Sequence, residues 1–105
     1  MNPLLRQFTS LDTFLPREVE VRGISYENRF IVALRAQPGQ RVELVRDYDN
    51  LVDRNAIAVY LSNKEMGYIP REVAQILAPE MDTGTNLDAT ITARLPKISV
   101  RIAQS

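Results

Sequence analysis

The stretch from Arg46 to Leu77 places the tightest limits on the fold. It opens with a loop dense in polar residues, among them Asp47, Asp49, Asn50, Asp53 and Asn55, and then switches to Ala56-Ile57-Ala58-Val59-Tyr60-Leu61. A run that short and that apolar reads as a strand buried on both faces. Ser62-Asn63 predicts a turn, and residues 64–69 a strand running back. Gly67, between that strand and a helix start, is expected to take a positive φ or to allow close packing. Pro70 is expected at the first helical position, where its missing N–H costs nothing. Val73, Ala74, Leu77 and Met81 then share one helical stripe, and Asp82-Thr83-Gly84 ends it. A polar loop between apolar strands must satisfy its own backbone, which Asn and Asp do by accepting from nearby N–H groups. On that reading Asp49 and Asn50 bond the loop's own backbone and Asp53 braces the entry to 56–61. The same loop could equally be a recognition site, or both.

The rest of the chain repeats the pattern of short strands and turns. Residues 17–26 read as a strand ended by Tyr26, with Gly23 marking a bulge or a close backbone approach. Phe30, Ile31, Ala33 and Leu34 make a helix-like or irregular apolar piece. Gln37-Pro38-Gly39-Gln40 carries the type II turn signature, and 41–46 follows as a strand with Val42 and Leu44 inward. Leu87, Ala89, Ile91 and Ala93 alternate with polar residues, as do Ile98, Val100 and Ile102, so the last two strands form a hairpin. Strands this short and frequent predict a mainly β fold: a small, closed or partly closed antiparallel barrel of about six strands, with one clear helix and one doubtful helical piece. Residues 17–105 form that barrel domain. Residues 1–16 are an apolar arm, with Leu4, Phe8, Leu11 and Leu15 at helical spacing. The arm packs either on its own barrel or on a second copy, which would make a homo-oligomer through residues 1–16.

Composition closes off several function classes. The chain has no Cys and no His, which removes thiol nucleophiles, disulfides, zinc sites and imidazole bases together. A calcium loop counted from Asp47 fails at its fifth, sixth and twelfth positions, Leu51, Val52 and Ala58. A nuclease-like magnesium site, which needs fewer carboxylates, is the weaker reading of that loop beside turn chemistry. The glycines form no phosphate-cradling motif. The expectation is a chain that is not an enzyme, with no cofactor and no metal. No signal peptide or membrane-length run is present, and the lack of Cys fits a reducing compartment, so a cytoplasmic location is expected.

Net charge is zero, with 13 basic and 13 acidic side chains, which argues against coating nucleic acid by bulk charge. The basic set is lopsided, 11 Arg to 2 Lys, and Arg suits bidentate phosphate contacts and stacking. Tyr26, Tyr48 and Tyr68 are accompanied by Arg46, Arg54 and Arg71. Bases stack on Tyr, phosphates pair with Arg, and the N–H groups of a helix start receive an anion. The alternative is that the tyrosines are half-buried barrel residues and the arginines solvated.

Four segments together resemble a known family. Gly23-Ile24-Ser25-Tyr26, Val42-Glu43-Leu44-Val45-Arg46-Asp47, Asp49 to Val59 and Met66-Gly67-Tyr68-Ile69-Pro70-Arg71-Glu72-Val73-Ala74 are similar to the HIRAN domain, in order and over about residues 18–84. The specific parts are the N-x-x-D-x-N-A-I core at Asn50 to Ile57 and Gly67-Tyr68-Ile69-Pro70. The resemblance implies an OB-like six-stranded barrel with a pair of short helices, found fused to DNA-remodelling ATPases and as a stand-alone domain. It also implies capture of single-stranded DNA at a free 3′-hydroxyl end, in a DNA-repair setting. By motif position, Tyr26 would stack, Asn50 would contact backbone or base, and Asp53 would accept from the terminal hydroxyl. Tyr68 and Arg71 would flank the phosphates. Ser25 and Glu27 depart from the pattern, standing where the DNA-end-binding version has a basic residue and a second aromatic. A protein-interaction or self-association module on the same barrel is the other function class.

Overall fold

The computed structural model describes residues 11–26 and 28–105. The central hairpin is built as its sequence requires. β3 (Ile57–Leu61) and β4 (Lys64–Tyr68) are joined by Ser62 and Asn63, both at positive φ, 50° and 67°. Two left-handed residues in a two-residue loop match the twist of the flanking strands. β2 (Arg41–Arg46) pairs antiparallel with β3, from Glu43 opposite Tyr60 to Arg46 opposite Ile57. β5 (Leu87–Ala93) and β6 (Ser99–Gln104) make the expected hairpin, and β1 (Arg17–Glu20) lies along β6. The turn at Gln37–Gln40 has Gly39 at φ 96°, and Gly39 and Gln40 extend the β2–β5 ladder by bonding the two sides of Ile91.

The sheet order is β1-β6-β5-β2-β3-β4. Its two outer strands then meet. Just past β1, Arg22 and Tyr68 exchange both backbone hydrogen bonds, each 2.8 Å, and this single rung curls the sheet into an OB-like barrel. Gly67 sits beneath the rung. A Cβ there would lie 2.7 Å from Val21 Cγ1 and still closer to the Arg22 carbonyl oxygen. The close-packing expectation for Gly67 therefore holds; it is not among the residues at positive φ.

Inside the barrel the alternating residues Ile57, Val59, Met66, Ile91, Val100 and Ile102 are almost wholly buried. α3 (Arg71–Asp82) lays Val73, Ala74, Ile76, Leu77 and Ala78 on this core, while Met81 is partly buried. Gly84 at φ 104° ends it, as Asp82-Thr83-Gly84 predicts. α2 (Arg29–Leu34) packs beside β4. Among the described residues, no helix is long and apolar enough to cross a membrane.

Three local readings need correction. The strand predicted over 17–26 stops at Glu20 because Gly23, at φ 73°, turns the chain, and Tyr26 sits in that turn. Pro70 is the N-cap of α3, not its first helical residue; its carbonyl accepts from the N–H groups of Val73 and Ala74. A further short helix, α1 (Leu11–Phe14), joins the expected ones, and Leu11, Phe14 and Leu15 are buried in the core. The rest of the predicted arm, with Leu4 and Phe8, lies outside the described residues, as does Glu27.

Candidate functional site

The loop between β2 and β3 is tied by its own side chains. Asn50 Oδ1 accepts from the N–H groups of Val52 at 2.9 Å and Asp53 at 2.8 Å. Asp53 Oδ1 accepts from Asn55 N–H at 2.9 Å. Asp47, and not Asp49 as expected, takes the other local bond, accepting from Asp49 N–H at 3.3 Å. The tip carries Leu51 and Val52, both exposed.

Arg46 fastens this loop to its surroundings. Its guanidinium donates to the carbonyls of Ala56 at 2.5 Å and Arg54 at 3.0 Å, and forks onto Asp82 at the end of α3 at 3.0 and 3.3 Å. It also lies 4.6 Å over the Tyr48 ring, whose hydroxyl donates to Asp82 at 2.6 Å. The hydrogen bonds from Arg46, and after them the one from Tyr48, hold the Asp82 carboxyl below the usual carboxylate range, and Tyr48 is raised by its bond to Asp82. Only 8% of the Arg46 side chain is exposed. Sequence reading assigns Arg46 to phosphate; the structure places it as the loop's anchor, with most of its donors already committed.

Tyr68 links the loop to the barrel seam. Its hydroxyl donates to Asp47 Oδ2 at 2.5 Å, and burial followed by that bond pushes its ionisation up to about 12. Arg29 lies 4.9 Å over the Tyr68 ring and 5.8 Å over Tyr26, while bonding Glu65 at 2.7 Å and the Gly23 carbonyl at 3.2 Å. Tyr26 is 67% exposed, and the turn that carries it is tied by bonds from Tyr26 N–H to Gly23 and from Arg29 N–H to Tyr26.

An open cleft of about 420 Å³ lies where loop, seam and helix start converge. It is lined by Asn50 and Asp53 from the loop, by Arg22 and Tyr68 from the seam, and by Pro70, Arg71 and Glu72 from the helix start. The first N–H groups of α3, at Arg71 and Glu72, have no earlier turn to donate into, and both residues line this cleft. Four of the seven sequence-predicted site residues therefore meet here: Asn50, Asp53, Tyr68 and Arg71. Tyr26 joins them through Arg29, and Arg46 braces the loop from outside the cleft. The Arg54 side chain is exposed and also outside it. Sequence reasoning missed Arg22 and Arg29. Arg22 reads as the polar side of a strand, and the Arg29–Glu65 pair spans 36 positions, which no local spacing reveals.

The HIRAN domain family model matches residues 17–105. The chain is 40% identical over 68 residues to a Fanconi-associated nuclease 1 homolog of Oryza sativa subsp. japonica, covering 61% of this chain and 7% of that protein. It is also 40% identical over 63 residues to the Arabidopsis thaliana homolog, covering 58% and again 7%. The match thus spans only a small part of either relative's length. Among solved structures, a protein from Lactobacillus plantarum superposes with a TM-score of 0.76 at 29% identity, covering 86% of this chain and 91% of that one. The HIRAN domain of human HLTF superposes with a TM-score of 0.72 at 22% identity, covering 87% and 75%.

Proposed function

The chain belongs to the HIRAN domain family, a nucleic-acid-binding module, and from that premise we propose that it grips the 3′-hydroxyl end of a single DNA strand in the cleft beside Tyr68. The observation that carries this reading is the unequal use of the Asp53 carboxylate. One oxygen holds Asn55 N–H, while Oδ2 has no bonded donor among the described residues and belongs to a residue lining the cleft. A carboxylate beside phosphates is costly unless it accepts a hydrogen bond, and a terminal hydroxyl is the group that can give one. The last phosphate is received by Arg71, Arg22 and the free N–H groups of α3, since a helix start is suited to an anion. The Asn50 carboxamide uses its oxygen within the loop, which leaves its NH₂ to donate to backbone or base. Tyr26 offers a stacking face, and Arg54 extends the basic side of the loop to the preceding phosphates. Asp53 and Glu72 offset Arg22 and Arg71 in the cleft. Binding therefore depends on placed contacts and not on a basic field, in keeping with a net charge of zero.

The chemistry available is recognition, not catalysis. The matched region in two plant proteins named as nuclease homologs is a small fraction of their length, which suits a domain that directs a longer enzyme to nucleic acid. The test is a fluorescence titration at low salt with 5′-labelled single strands of about ten nucleotides, ending in a 3′-hydroxyl or a 3′-phosphate. The hydroxyl strand is expected to bind several-fold tighter. Asp53→Asn, which keeps an acceptor for Asn55 and removes the charge, is expected to abolish that preference. Equal binding of both ends would overturn end recognition. Absence of binding to either strand, under conditions where phosphate contacts are strongest, would overturn the nucleic-acid reading itself.

A further inference from the structure

α2 carries an apolar surface that the barrel does not use. It buries Val32 and Ala33 but leaves Phe30, Ile31 and Leu34 43%, 55% and 59% exposed. A surface helix ordinarily turns its apolar stripe to the core. Of these exposed residues, Ile31 points outward beside the β3–β4 hairpin. Two hollows of about 490 and 260 Å³ adjoin there, sharing Ile31, Val32 and Lys64, and are taken together as one groove. Arg29 and Glu65 lie at one end, and Arg35, Gln40 and Leu61 at the other.

The charges in the groove are one-sided. Among the described residues its one lining carboxylate, Glu65, is paired with Arg29 at 2.7 Å. Arg35 and Lys64 are exposed, and among the described residues neither has a carboxylate partner. The groove thus has an aliphatic floor and, among the described residues, two cations with no paired carboxylate. Among the described residues no aromatic ring lines it, so these offer no stacking surface of the kind that unpaired bases use. We propose that this groove docks an acidic peptide segment of a partner protein. Aliphatic side chains of the segment cover Ile31, Val32 and Leu61, and its carboxylates pair with Arg35 and Lys64. This surface is separate from the Asp53 cleft, with which it shares no lining residue.

The full chain is titrated with a fluorescein-labelled synthetic peptide of repeating Glu and Leu, and with its Lys–Leu counterpart, by anisotropy at low salt. The acidic peptide is expected to bind and the basic one not. The double variant R35E/K64E is expected to weaken binding at least about tenfold, since reversing two rim charges turns attraction into repulsion. Its melting temperature and its titration with a single strand should stay unchanged. Amide resonances that move on adding peptide should fall within residues 28–35 and 61–65. Failure of the wild type to bind the acidic peptide, or equal binding of both peptides, would overturn the proposal. So would an R35E/K64E variant that keeps the peptide and loses the single strand, because those cations would then serve nucleic acid.

Discussion

Gly67→Ala tests the barrel seam with a single methyl group. Away from any contact this change would help, because a strand glycine is worse than alanine by about 0.5–1 kcal/mol, and Gly67 has no positive φ that alanine could not adopt. The seam reverses the sign. The added Cβ would lie 2.7 Å from Val21 Cγ1, 3.3 Å from Ile24 Cγ2 and nearest of all the Arg22 carbonyl oxygen. Val21 can shift a side chain, but the Arg22 oxygen is backbone and already accepts from Tyr68 N–H at 2.8 Å. Relief must come from strand separation, which lengthens both bonds of the rung. Overpacking of this kind costs about 1–3 kcal/mol, and two weakened backbone hydrogen bonds add roughly 1–2 kcal/mol. After the strand gain is subtracted, a net loss of about 1–4 kcal/mol is expected, which for a domain of this size lowers Tm by roughly 5–25 °C. Thermal and urea melts followed by circular dichroism measure it. A Gly67→Ala protein that melts with the wild type would refute the closed seam as the reason for glycine.

Tyr26→Ala should weaken single-strand binding at least several-fold, since stacking contributes about 1–3 kcal/mol per base, while leaving the melt unchanged because the ring is mostly exposed; an unaltered titration would remove Tyr26 from the site. Arg46→Lys should cost about 1–3 kcal/mol, because one ammonium cannot replace a fork that serves two carbonyls and Asp82, and protease cutting between Asp47 and Asn55 should speed up; a variant as stable and as resistant as the wild type would contradict the anchoring role. For Tyr68 the sign follows from a folded-state ionisation raised from 10 to about 12. The contribution is complete below pH 10 and is lost as pH rises toward 12, so wild-type Tm should fall over that window relative to its neutral value. Tyr68→Phe should show a smaller fall, and parallel curves for the two proteins would dissociate the hydroxyl from stability.

The strands were legible because their alternation is local. Leu87 to Ala93 and Ile98 to Ile102 declare the buried face without knowledge of a partner, and the unbroken apolar run Ile57 to Leu61 declares burial on both faces. Turn chemistry was legible for the same reason at Gly39 and Ser62-Asn63, where the backbone demand lies within the turn. The N-x-x-D core was partly legible: its side chains do bond their own loop, although Asp47 replaces Asp49 as acceptor. What escaped was decided across the fold. Arg46 meets Asp82 and Arg29 meets Glu65, each 36 positions away, so an arginine that anchors and one that is free look alike in sequence. The end of β1 at Glu20 likewise depends on Gly23 steering Arg22 toward Tyr68, a partner that no nearby residue announces.

The pairing of β1 with β6 sets Arg17 directly opposite Ile102. The polypeptide therefore enters and leaves the barrel as two antiparallel neighbours, like the two leads of a plug. These two strand ends are neighbours, and adjacent entry and exit points are what insertion into a host loop requires. The contacts that close the Asp53 cleft come from the middle of the chain, residues 22 to 72, and not from those leads. Cutting and rejoining should thus be harmless to the cleft at the leads and damaging within the β2–β3 loop. Portability, on this geometry, is a property of register.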